Sequence, residues 1–154
     1  MTAFALRHYN QALERYAWLV LFLPLISSTG GNSGNQAATL VITALTGDEL
    51  TVKDWKRVLA REWLLGIMLG SILAVIGFFV AWLWFAPSAR EALVVPITMI
   101  SVVVFGCSTG SMLPLLFRRM GLDPALMANP FIAGIMDITG IVIYLNVALL
   151  LIEY

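Results

Sequence analysis

Between Trp63 and Phe85 the chain runs for twenty-three residues without a charged side chain. Wound as a helix at about 1.5 Å per residue, such a run crosses the ~30 Å hydrocarbon core of a bilayer. Three further stretches have the same reach: about Ala17 to Leu45, whose second half is polar, about Leu93 to Phe117, and about Pro130 to Ile152. In hydrocarbon each unpaired backbone N–H or C=O costs several kcal/mol, so each stretch must satisfy its own backbone as a helix. Composition agrees. The chain is 60% hydrophobic and 12% charged, against about 25% charged in a soluble domain. The expected class is an all-α integral membrane protein, with residues 1–154 as a single membrane domain. It has four transmembrane helices per chain plus short interfacial amphipathic helices.

Charge placement orients the spans. Lys53, Lys56, Arg57 and Arg61 lie between the first two spans, and Arg118 and Arg119 between the last two. By parity these six share one side, against Arg7, Arg15 and Arg90 on the other, which puts both termini outside. Trp18, Trp55, Trp63, Trp82 and Trp84 fall near span ends, as interfacial anchors do. The first 16 residues are mixed in character and do not read as a cleavable signal, so a multi-pass protein of a prokaryotic plasma membrane is expected.

Short amphipathic segments flank the first span. Leu6, Tyr9, Leu13 and Tyr16 share one helical face, which fits either a helix lying at the outer interface or a continuation of the span into water. Residues 46–62 resemble a second interfacial helix, with Thr51 or Asp54 as cap.

Several classes are excluded. Net charge is zero and no basic block points to nucleic acid. Cys107 is the sole cysteine, so neither a disulfide framework nor a cysteine-rich metal site is available. No phosphate-binding loop is present for ATP-driven pumping. An intramembrane enzyme finds no machinery: Cys107 has no histidine in its span, no paired acid or metal motif occurs, and His8 reads as a plain interfacial residue.

Two polar features remain inside the spans. Ser27 through Thr39 packs three glycines and three carboxamides into a spanning segment, and Ser28, Asn32, Asn35, Gln36, Thr39 and Thr43 share a helical face. Such a stripe must meet water or another polar surface. Gly30, Gly31 and Gly34 fit two readings. They loosen the helix and free carbonyl oxygens, hard ligands suited to Mg²⁺ or Ca²⁺, or they let helices pack closely while the carboxamides bond across the contact. The second feature is Asp137, the one acid deep in an apolar stretch. A carboxylate there costs at least about 2.5–3.5 kcal/mol, which points to a cation path or to a protonated acid bonded to a neighbouring helix. Asn129, Ala133, Asp137, Gly140 and Tyr144 fall within about 80° of arc at about 100° per residue, so the first and last spans are the candidate pore walls. In the third span, Thr98, Ser101, Ser108, Thr109 and Ser111 read as local backbone bonders. Gly66-xxx-Gly70 and Gly106-xxx-Gly110 match the small-residue packing pattern.

At Gly30 through Val41, Trp55 through Glu62, Leu113 through Ala125 and Pro130 through Asp137, the chain resembles the transmembrane domain of the MgtE family of magnesium channels and transporters. The resemblance implies a homodimer with a pore on its two-fold axis, lined by the first and last spans. It implies Asp137 as selectivity residue, Asn129 as a pore-lining asparagine, and the glycine-rich block on the pore wall. Members usually have five spans, of which this chain matches the last four, and their cytoplasmic regulatory domains have no counterpart here. Where members carry threonines before the aspartate, this chain has Ala133, Gly134 and Met136, which implies fewer hydroxyls at the site.

The function so implied is passive transport of Mg²⁺, carried as substrate and not as a catalytic cofactor. Two Asp137 carboxylates would hold the hydrated ion, with Asn129 and the Asn32–Gln36 block accepting from its waters. Oxygen ligands alone leave room for a broader pathway passing Mn²⁺, Co²⁺ or Ca²⁺, or for Na⁺- or H⁺-coupled exchange. A non-conducting membrane interaction module is the alternative of a different class.

Overall fold

The structure is a computed structural model that describes residues 6–152 apart from His8, which therefore lies outside the described residues. Every described element is helical. A short α1 (Asn10–Arg15) and a 3₁₀ segment (Ala17–Phe22) lead into α2 (Leu23–Thr46). A second 3₁₀ turn (Val52–Asp54) opens α3 (Trp55–Trp84); α4 (Ala89–Ala92), α5 (Val94–Arg119) and α6 (Pro124–Ile152) follow.

The chain is an all-helical membrane protein. Among the described residues, three segments are long and apolar enough to cross a bilayer: Val52–Trp84, Ala89–Arg119 and Pro124–Ile152. The expected first span differs. α2 is 24 residues long, enough for ~36 Å of helix, but its glycine and carboxamide block leaves it less apolar than the other three.

Helix ends follow from capping chemistry. The Thr51 N–H and hydroxyl both donate to Asp54 Oδ2, at 2.8 and 2.7 Å. This turn starts α3, so no separate interfacial helix spans residues 46–62: Thr46 ends α2, residues 47–51 turn the chain, and residues 55–62 begin one 30-residue helix. α5 stops at Gly121, whose φ of +75° suits glycine. There the Gly121 N–H reaches Arg118 O at 3.2 Å and the Leu122 N–H reaches Phe117 O at 2.9 Å, the paired closure of a glycine-terminated helix. Asp123 Oδ1 accepts from the Ala125 N–H at 2.8 Å. That bond caps α6 itself, which begins at Pro124 and not at Pro130.

α5 is the central helix, packed against α3 on one side and against α2 and α6 on the other. Glycines set these contacts. A Cβ on Gly66 or Gly70 would lie 3.0 Å from Val104 Cα or 2.9 Å from Ile100 Cα, so α3 runs antiparallel to α5 at near-backbone contact. On the other side Gly106 meets the Gly30 carbonyl and Gly110 the Gly34 carbonyl, bringing α2 and α5 together in parallel. Water cannot drive helices together in lipid, so such close van der Waals contact must hold them. Ile26, Val102, Ile132, Met136, Ile141 and Leu145 fill the core around it. The face of Leu6, Tyr9, Leu13 and Tyr16 packs against that core, partly buried.

Gly110→Val should destabilise the fold by about 3 kcal/mol or more, because its side chain meets backbone that cannot yield. Gly134→Ala, placed in open space, should be neutral or stabilising by up to about 1 kcal/mol. Thermal midpoints in one detergent check both; equal midpoints for the two variants would contradict the packing.

Candidate functional site

α2 is helical without interruption through the glycine block, so its carbonyls stay inside the helix instead of being freed. Its hydroxyls are satisfied locally. Thr29, Ser33, Thr39 and Thr43 donate to the carbonyls of Leu25, Thr29, Asn35 and Thr39 at 2.7 to 2.9 Å. The carboxamides carry the remaining hydrogen-bonding capacity. Asn32 and Gln36 are exposed, and Asn32 Nδ2 donates to Ser28 Oγ at 3.2 Å, leaving its Oδ1 as acceptor. Asn35 is half-buried, and its Oδ1 has no hydrogen-bond partner among the described residues. A cavity of about 560 Å³ opens over Asn32, Asn35, Gln36, Thr39 and Leu40.

On α6 the expected arc divides. Asn129, Ala133 and Asp137 are exposed, successive at four-residue spacing along one face. Gly140 and Tyr144 turn inward. A Cβ on Gly140 would sit 3.9 Å from Ser27 Cα, and the Tyr144 hydroxyl donates to Leu19 O at 3.1 Å. All five lie in one arc at about 100° per residue, so the division follows height along α6: from Gly140 onward that arc is covered by the start of α2 and the 3₁₀ segment before it.

The residues expected on a pore wall thus fall into three groups. Asn32, Gln36 and Ala133 stand on open faces, with Asn129 and Asp137. Gly31 and Asn35 are half-buried. Gly30 and Gly34 are buried between α2, α5 and α6, where a Cβ would strike Val102 and Met136 or Ile132. Of the two readings left open for the glycines, close packing is the one observed at Gly30 and Gly34. The third-span hydroxyls divide similarly. Ser101, Ser108 and Ser111 bond to local carbonyls, whereas Thr98 is fully buried with its Oγ1 unpaired.

Asp137 makes no hydrogen bond or ion pair among the described residues. No group of three His, Cys, Asp or Glu side chains that could cage a metal occurs among them. One chain therefore offers a single carboxylate on an open, polar-edged helix face. Sequence reasoning missed Glu62, which is only 4% exposed. Its signal was its position, the last charge before the apolar run that begins at Trp63.

Comparison with known proteins adds a family. The model of the MgtE family, described as a divalent cation transporter, matches residues 23–147. A protein named magnesium transporter MgtE from Thermus thermophilus is 39% identical over 153 residues, covering 99% of this chain and 34% of that protein. Proteins of the same name from Bacillus subtilis and Enterococcus faecalis are 28% and 26% identical. The Bacillus match covers 92% of this chain and 31% of that protein, and the Enterococcus match 99% and 34%. The chain spans about a third of the length of these relatives.

Exposure along α6 has a direct readout. With Cys107 buried and therefore silent, Asn129→Cys, Ala133→Cys and Asp137→Cys should react with a charged thiol reagent in the purified protein. Ile132→Cys and Met136→Cys, on the buried face, should react at least about tenfold more slowly. Equal labelling on both faces would contradict the assigned helix rotation.

Proposed function

Because the chain belongs to the MgtE family of divalent cation transporters, we propose that it conducts Mg²⁺ passively across the plasma membrane as a homodimer. The observation that carries this reading is Asp137: an unpartnered carboxylate exposed on a membrane helix, in line with Ala133 and Asn129. A lone acid on a lipid-facing surface would cost at least about 2.5–3.5 kcal/mol. A two-fold axis beside α6 turns that cost into a site, since it brings two such acids face to face.

Residues 1–154 form one membrane domain in this reading, with α2 as the fourth crossing helix and both termini outside. α2 crosses despite its polar block because Asn32, Gln36, Thr39 and Thr43 face the aqueous passage and not lipid. Asp137 and Asn129 from both copies line the passage, with Asn32, Asn35, Gln36, Gly31 and Ala133 beside them. Gly30, Gly34 and Gly140 shape the wall from behind by fixing where α2, α5 and α6 sit.

Mg²⁺ demands near-octahedral geometry and sheds water reluctantly, so the economical design holds the ion with most of its waters retained. Two carboxylates accept hydrogen bonds from that shell and supply the charge that favours a divalent over a monovalent ion. Carboxamide oxygens accept from the remaining waters. Asn129 and Asp137 are separated by about two helical turns, ~12 Å along α6, so they act at successive depths of one path.

Purified chain reconstituted in liposomes should take up Mg²⁺ without a Na⁺ or H⁺ gradient. Asp137→Asn and Asp137→Ala should each lower that uptake by at least about tenfold, the loss expected when a charge-assisted contact is removed. Undiminished uptake in both variants would eliminate the role given to Asp137, and dependence on an opposing gradient would make the protein an exchanger.

A further inference from the structure

Glu62 lies where the basic start of α3 gives way to its apolar run. Its side chain is among the few buried polar ones, yet it makes no hydrogen bond or ion pair among the described residues. It lines a cavity of about 420 Å³ between the C-terminal half of α2 and the start of α3, together with Glu49, Arg57 and Arg61. With the rest of Glu62 covered, its carboxylate opens onto this cavity, so its hydrogen-bond donors must come from whatever fills the cavity.

The depth of the cavity narrows the choice. The charge-free run begins at Trp63, directly after Glu62, and Trp55 and Trp63 are exposed on either side. Exposed tryptophans of this kind sit at headgroup level, so the cavity opens where phospholipid headgroups lie. Exposed Leu40 and Leu64 continue from it toward the hydrocarbon.

Charge narrows it further. The lining holds two acids and two arginines. A bare divalent cation would meet the guanidiniums, and a simple anion would meet the carboxylates. A headgroup carrying both an ammonium and a phosphate satisfies the two pairs together. We propose that this cavity binds the headgroup of phosphatidylethanolamine, its primary ammonium donating to Glu62 and Glu49 and its phosphate accepting from Arg57 and Arg61. The N–H donors are what no protein side chain gives this carboxylate, so a quaternary choline headgroup of the same charge cannot replace them. Arginine suits the phosphate because its planar fork matches the phosphate oxygens.

The test is native mass spectrometry of the purified full chain titrated with phospholipids of identical acyl chains. Phosphatidylethanolamine, its N-methyl and N,N-dimethyl forms and phosphatidylcholine make one series, and phosphatidylglycerol is the anionic control. Retention should fall along the series, with phosphatidylethanolamine held at least about tenfold better than phosphatidylcholine. Glu62→Gln should erase that preference while leaving phosphatidylglycerol binding unchanged. Equal retention across the series in the unsubstituted chain would overturn the proposal, and this arm stands even if the variant fails to fold. A preference that survives Glu62→Gln would overturn it too. Mg²⁺ binding that depends on Glu62 and excludes the lipid would make the cavity a divalent-cation site instead.

Discussion

In a bilayer the lipid tails are as apolar as any leucine, so this fold depends on how closely helix backbones can approach. The decisive contact is the one between Gly30 and Gly34 of α2 and Gly106 and Gly110 of α5. It carries no charge and no side-chain hydrogen bond. Its strength is the density of contact that two hydrogen-bearing Cα surfaces permit, and a single methyl group would force them apart. Because α2 is the least apolar of the long helices, it gains least from lipid and relies most on this seam.

The seam also sets the direction of the polar side chains. With Gly30 and Gly34 turned inward, helical geometry turns Asn32 and Gln36 outward on the same element. α6 obeys the same logic: Ile132 and Met136 pack against α2, which presents Asn129, Ala133 and Asp137 on an adjoining open face. Packing residues and polar residues are therefore interleaved on both helices. A change to one set shifts the other, so packing and the placement of the open polar side chains are not separable in α2 and α6.

Much of this is legible in the sequence for simple physical reasons. Uncharged runs of spanning length dictate helices, and i, i+4 spacing by itself puts Asn129, Ala133 and Asp137 on one face. The division of that arc at Gly140 and Tyr144 is not legible, because a helical wheel cannot tell where a neighbouring helix begins to cover a face. The same limit applies at the glycine block, where loosened helix and tight packing share one composition. Only the partner glycines on α5 decide between them. Glu62 escapes a sequence reading because its burial comes from α3 packing on α5, on the same stripe as Gly66 and Gly70, and its position before the apolar run does not say which neighbour covers it. The junction of residues 46–62 reads as a separate helix since a capping box marks where a helix starts, not how far it runs.

The 3₁₀ segment Ala17–Phe22 leaves carbonyls unused by its own tighter pattern, and α6 takes one of them. Tyr144 donates to Leu19 O, and two residues further on Asn146 Nδ2 donates to the Tyr9 hydroxyl at 2.7 Å. These two clasps fasten the N-terminal segment to α6 about two turns from Asp137, ~10 Å along the axis. A twist of α6 that swings the carboxylate would pull on both. Anything that grips the start of the chain thus acts on a lever whose far end is the acid.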